Sequence, residues 1–253
     1  MAENIRDFIH FLGIEQENQI KSSVNLGEYF FLIHNLDILY KEALKIKVDK
    51  KEHKIPAFLF LNVHRELYLS MTNFLRLHKG KSFCNLRSAI DSTFTAYYLL
   101  KNPDKENVYK ANIKLGSEEE AEWDAIFRNI KATIKKNITD FPLAKELIEI
   151  HEFCSIFEHS DALDVLGRYV EDKEKMTLEA NYFDYEETDD SYKKWLIKIL
   201  FSYFMIFGLF WAEFFKERAP EEISRVINIK AKTYQTKLDE LRKRFPVKTN
   251  NGT

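Results

Sequence analysis

Only seven glycines and five prolines interrupt this chain of 253 residues. Sandwiches, barrels and doubly wound sheets turn often and draw on those two residues at their turns. A chain this poor in them folds into long rods with short joints. The apolar pattern agrees. Phe30, Ile33, Leu36, Leu39 and Leu44 recur every three to five positions, close to one face of an α-helix. With 45% hydrophobic and 31% charged residues the composition is globular, and the length suits one large core. The expected fold is therefore all-α: a single-domain multi-helix bundle over residues 1–245, with an irregular acidic insert near 170–191 and a disordered tail over 246–253.

Punctuation along the chain sets the expected elements. A short helix runs from Ile5 to Leu12 and stops at Gly13. A long one covers Ile20 to Ile46. Pro56 opens the next, which ends at Gly80, and a fourth spans Ser82 to Lys101 and stops at Asn102-Pro103. Gly116 to Glu120 reads as the cap of a helix reaching Asn137, and Pro142 opens one to Phe157. Thr177 to Phe183 is a candidate strand inside the insert. The stretch Trp195–Phe215 is long enough to cross a bilayer, but Lys198, Ser202 and Glu213 fall on one narrow side of it. A lone span would gain nothing from that stripe, so the stretch is read as the central rod of the bundle and not as a membrane helix. Pro220 opens the last helix, to Phe245.

Lys and Arg number 38 against 40 Asp and Glu, which excludes a nucleic-acid binder that works by bulk charge. Local basic runs remain at Lys45–Lys54, at Arg128–Lys136 and from Lys230 through Arg242, Lys243 and Arg244. If they converge in space they can track an RNA backbone. No leader peptide is visible before Gly13. Cys84 and Cys154 are too distant in sequence for a zinc knuckle and read as reduced, buried thiols of a cytoplasmic protein.

Three clusters invite chemistry. His78-Lys79-Gly80-Lys81-Ser82 ends like a phosphate-binding loop, but Leu75 stands where the first glycine belongs and no strand precedes it. His151, Glu152, Glu158 and His159, joined by His64 and Glu66 from another helix, have spacings that allow a mixed metal site. The Glu-x-x-His pattern of di-metal bundles is absent, so no metal and no cofactor is assigned. Arg87 and Asp91 stand four apart and can pair, beside a stripe of small residues, Ser88, Ser92 and Thr95, that lets another helix approach closely.

The segment His64 to Pro103 carries a resemblance. Arg65-Glu66, Leu75-x-x-x-x-Gly80, Leu86-Arg87-Ser88-Ala89-Ile90-Asp91 and Tyr98-Leu99-Leu100-Lys101-Asn102-Pro103, with Ser155-x-x-x-His159-Ser160 later, resemble a group of bacterial helical proteins associated with the HEPN superfamily. The resemblance covers about half the chain. It implies an all-helical, dimer-forming protein linked to RNA or to defence against phage, and in many members a metal-independent ribonuclease. Their signature, Arg followed by four to six residues and His, is missing: Arg6 precedes His10 by three intervening residues and Arg76 precedes His78 by one. Asp91 also stands where the group shows Glu. The expectation is a binding or regulatory module for a protein or RNA partner. The alternative is a ribonuclease in which Arg87 holds phosphate charge, Asp91 orients Arg87 and His159 is the acid or base.

Overall fold

The computed structural model describes residues 5–48, 54–111, 118–136, 139, 142–158, 169–172, 177–180, 182–184 and 189–245. Among them are ten α-helices: α1 (Phe8–Leu26), α2 (Glu28–Leu44), α3 (Lys54–Leu75), α4 (Lys79–Lys101), α5 (Glu106–Ala111), α6 (Glu118–Ile126), α7 (Ile130–Lys136), α8 (Ala144–Glu158), α9 (Asp189–Phe210) and α10 (Glu221–Lys243). The fold is an all-α bundle, as the scarcity of turn residues requires. The expected tail, 246–253, lies outside the described residues.

The acidic insert is more regular than its composition suggests. Tyr169–Asp172 and Thr177–Ala180 pair as an antiparallel hairpin, with Tyr169 opposite Ala180 and Asp172 opposite Thr177. The candidate strand is therefore real but ends at Ala180. Beyond it, Phe183 is buried and stacks on Phe11 of α1 at 5.4 Å, and the Asp184 amide donates to the Leu77 carbonyl. The insert thus straps the turn between α3 and α4.

Two glycines exchange the roles expected of them. Gly13 does not stop a helix, because α1 runs straight through it with nothing within 4 Å of where a Cβ would sit. Gly27 breaks the long helix instead, joining α1 to α2 at φ +49°, a conformation that a side chain strains. Gly27→Ala should therefore lower stability by about 1–2 kcal/mol, whereas Gly13→Ala should raise it by about 0.5–1 kcal/mol. Urea unfolding midpoints of the two variants, moving in opposite directions from the parent, would verify this. Gly80 is not a stop either. Leu77, at φ +64°, turns the chain, and Gly80 lies buried in the first turn of α4.

The core forms where apolar faces meet. Leu36, Leu39 and Tyr40 of α2, Phe60 and Val63 of α3, Leu86, Ile90 and Phe94 of α4, and Leu200, Tyr203 and Phe207 of α9 are all shut from water. α3 and α4 form the most extensive helix pair, and α4 also packs on α7, α8 and α9. The centre is thus shared between α4 and α9. α10 presents Ile227, Ala231, Tyr234, Leu238 and Leu241, alternating four and three apart, toward α2 and α9. That spacing keeps one seam inward and leaves the charged face outside.

Among the described residues, Asp190–Phe215 is the one stretch long and apolar enough to cross a membrane, and 61% of its most apolar window is buried inside the bundle. Its polar stripe is exposed only in part, at Lys198 and Glu213. Ser202 is wholly buried and returns its hydroxyl to the Lys198 carbonyl, while Glu213 pairs with Lys101 at 3.3 Å.

A charged knot ties α2 to α3. Asp37 accepts from His64 Nε2 at 2.8 Å and from the Tyr68 hydroxyl at 2.6 Å, and it pairs with Lys41 Nζ at 2.8 Å. A carboxylate only accepts, so His64 carries its proton on Nε2. Burial pushes the Asp37 carboxyl up, but the bonds from Lys41, Tyr68 and His64 together outweigh burial and hold its pKa below 3.8. A lowered folded pKa stabilises above the unfolded value and loses that contribution as pH falls through the folded one. The stability gap between the parent and Asp37→Asn should be full at neutral pH and should close below pH 3.8. Paired unfolding curves across that range provide the check.

Candidate functional site

α4 carries the residues that the spacing argument singled out, and the fold gives them a partner from α8. Arg87 Nε points at His151 Nε2 at 3.2 Å, and the same nitrogen lies 3.0 Å from Asp91 Oδ1. One ring nitrogen can either accept from Arg87 or donate to Asp91, so the tautomer decides which bond is made. His151 is 2% exposed, and its Nδ1 has no hydrogen-bond partner among the described residues. Arg87 and Asp91 are therefore joined through a buried histidine. His159, the acid or base of the expected composite site, lies outside the described residues. His151 could not be matched to Arg87 from the sequence, since 64 residues separate them and only the packing of α8 on α4 brings them together.

Arg87 and Asp91 open onto a cavity of about 320 Å³. α4 forms one wall, with Ser88, Ser92 and Thr95 beside the charges. Tyr109, Trp123 and Phe127 form the facing wall, and the rings of Tyr109 and Trp123 lie 5.1 and 6.2 Å from that of Phe127. The stripe of small residues thus does two jobs. Ser92 accepts from Asn62 of α3, as a close helix approach requires, while its neighbours leave room for the cavity.

Cys84 also lines this cavity, whereas Cys154 is fully buried and its thiol is pushed up to about 12 by burial. Only part of the expectation of two buried thiols holds. A coloured thiol reagent at pH 8 should modify one cysteine of the folded protein quickly and both after urea. Cys84→Ser should remove the fast phase.

Of the residues weighed as a metal site, the described ones disperse, while His159 and the Glu158 side chain lie outside the described residues. His64 belongs to the Asp37 knot, His151 to Arg87 and Asp91, and Glu152 faces Lys131 and Lys135 at 3.7 and 3.9 Å. Among the described residues no three metal-binding side chains converge. The phosphate-loop look-alike is a helix junction. Its Gly80 amide donates to the Asp184 carboxylate at 3.3 Å, which puts a negative charge where a phosphate would need to sit.

A larger concavity lies elsewhere. α9 and the end of α10 enclose about 950 Å³ between Trp195, Ile197 and Phe201 on one side and Phe245 on the other. Lys194, Lys198, Arg242 and Lys243 reach into it, against one carboxylate, Asp239. The cations lie on rings: Arg242 is 4.2 Å from the Phe201 ring centre, Lys198 Nζ is 3.1 Å from that of Phe153, and Lys194 Nζ is 5.6 Å from that of Phe245. Burial holds the Lys198 pKa below the ordinary lysine value. Arg242 and Lys243 come from the third basic run. Lys194 and Lys198 were missed as its partners, although their four-residue spacing places both on one side of α9.

No protein-family model matches the chain, and neither a curated protein nor a solved structure matches it significantly.

Proposed function

We propose that the protein is a non-catalytic RNA-binding module that holds single-stranded RNA in the groove between α9 and α10. The observation that carries this reading is the composition of the groove: four cations against one carboxylate, over the half-buried rings of Trp195, Phe201 and Phe245. Single strands are held by basic grooves that follow the phosphates and by rings on which bases stack. The chain as a whole is slightly acidic, so this attraction is local. The likeness of His64–Pro103 to HEPN-associated helical proteins supports the same reading, with phage defence as its biological setting.

The convergence of Arg87, Asp91 and His151 favours a ribonuclease as the second reading. Its weakness is access. A general acid or base must reach the proton it moves, and His151 is buried with Nε2 already between two side chains.

One titration separates the two. A fluorescently labelled single-stranded oligoribonucleotide, followed by anisotropy, should bind the parent, and Arg242→Ala combined with Lys198→Ala should weaken binding roughly tenfold or more. The same samples run on a denaturing gel should show RNA of unchanged length. Absence of binding defeats the groove reading, and shortened RNA that persists in EDTA favours the nuclease.

A further inference from the structure

The cavity beside α4 is separate from the groove and has its own chemistry. Its charged wall holds one cation and one anion. Arg87 Nε and Asp91 Oδ1 both lie within 3.2 Å of the same His151 nitrogen, so they are no more than about 6 Å apart. Asp91 keeps 41% of its side chain exposed, so its carboxylate is open to a ligand. An anion would be drawn to Arg87 and repelled by Asp91, and a cation the reverse. A small molecule carrying both charges close together on one skeleton satisfies both.

The facing wall adds one requirement. Tyr109, Trp123 and Phe127 form an apolar surface, which favours a ligand with a large apolar group. Trp123 Nε1 is shut from solvent, so the ring of Trp123 and not its N–H faces the cavity. At about 320 Å³ the space suits a small metabolite rather than a polymer.

We infer that this cavity is a binding site for a free α-amino acid with a large apolar side chain. Arg87 takes the carboxylate, Asp91 takes the ammonium, and the side chain lies on the rings of Tyr109, Trp123 and Phe127. Cys84, on the cavity wall, reports occupancy because a bound ligand blocks its alkylation.

The first arm of the test uses the intact parent protein, so it does not depend on a variant folding. The rate of Cys84 alkylation is measured with L-phenylalanine, L-leucine and L-tryptophan, with N-acetyl-L-phenylalanine, with L-phenylalaninamide and with guanosine. At least one free amino acid should slow the reaction several-fold and raise the thermal midpoint. Both blocked derivatives should fail, because each lacks one charge. The inference is overturned if no free amino acid protects at millimolar concentration, if the blocked derivatives protect equally, or if guanosine protects in their place. As a second arm, Asp91→Asn should lose protection by the amino acid while its thermal midpoint without ligand stays near the parent's. Retained protection in that variant also counts against the site.

Discussion

Phe60→Ala should destabilise the protein by about 3–5 kcal/mol, the largest effect expected of any single substitution considered. Phe60 is fully buried on α3, where three elements meet. Its ring stacks on Tyr40 of α2 at 5.1 Å and meets Phe210 at the end of α9 at 5.0 Å. It also lies edge-on to Phe215 at 4.7 Å, in the π-helical turn that continues α9. Truncation removes those contacts and leaves a cavity that rigid helices fill poorly. It also strips one face from the Tyr40 ring, whose hydroxyl donates to the Tyr203 carbonyl at 2.8 Å and so ties α2 to α9. In a chain of this size each kcal/mol moves the melting midpoint by about 2–4 °C, so a fall on the order of 10 °C is expected. Phe60→Leu, which refills much of the volume, should lose less than half as much. A fall of only a degree or two in the alanine variant would mean that α2, α3 and α9 do not meet at this ring.

Glu66→Ala should cost about 2–3 kcal/mol, through hydrogen bonding rather than volume. Glu66 is 5% exposed between α3 and α4. Asn85 Nδ2 donates to its Oε2 at 2.7 Å, and Arg65 Nη1 donates to its Oε1 at 3.2 Å. Asn85 in turn accepts from Asn73 at 2.9 Å, and one turn away the Ser70 and Ser82 hydroxyls bond at 2.8 Å. The interface is thus a polar seam, and removing its carboxylate leaves an amide donor stranded between two helices. Glu66→Gln keeps an acceptor for Asn85 and should lose about half as much. Denaturant unfolding of the three proteins would show the ordering, and an alanine variant as stable as the parent would exclude the seam as a source of stability.

The seam also shows what the sequence could and could not reveal. The rods were legible because apolar residues recur at helical spacing, and the end of α4 at Asn102-Pro103 was legible because proline blocks continuation. The joint at Gly27 was not. A glycine that the backbone requires and a glycine that sits idle in a helix, as Gly13 does, look alike until φ is known. Leu77 hid its turn for the converse reason, since nothing marks a leucine that must adopt positive φ.

The site divides in the same way. Arg87 and Asp91 share a face because they are four apart, which is local geometry. Their link through His151, and the ring wall opposite, depend on contacts between distant segments that no spacing rule contains. Lys198 illustrates the failure most clearly. As a charge in an apolar helix it reads as a mark of exposure, yet it is half-buried on the Phe153 ring and faces a groove that α10 completes.

The most direct test of RNA in that groove is the salt dependence of binding. For single strands the logarithm of the binding constant falls with the logarithm of salt concentration by about 0.7 per phosphate neutralised. If Lys194, Lys198, Arg242 and Lys243 all engage the backbone, the slope is about −2.8, and it drops to about −1.4 when Lys198 and Arg242 are replaced by alanine. A slope near zero in the parent, or one that the double substitution leaves unchanged, would contradict RNA binding between α9 and α10.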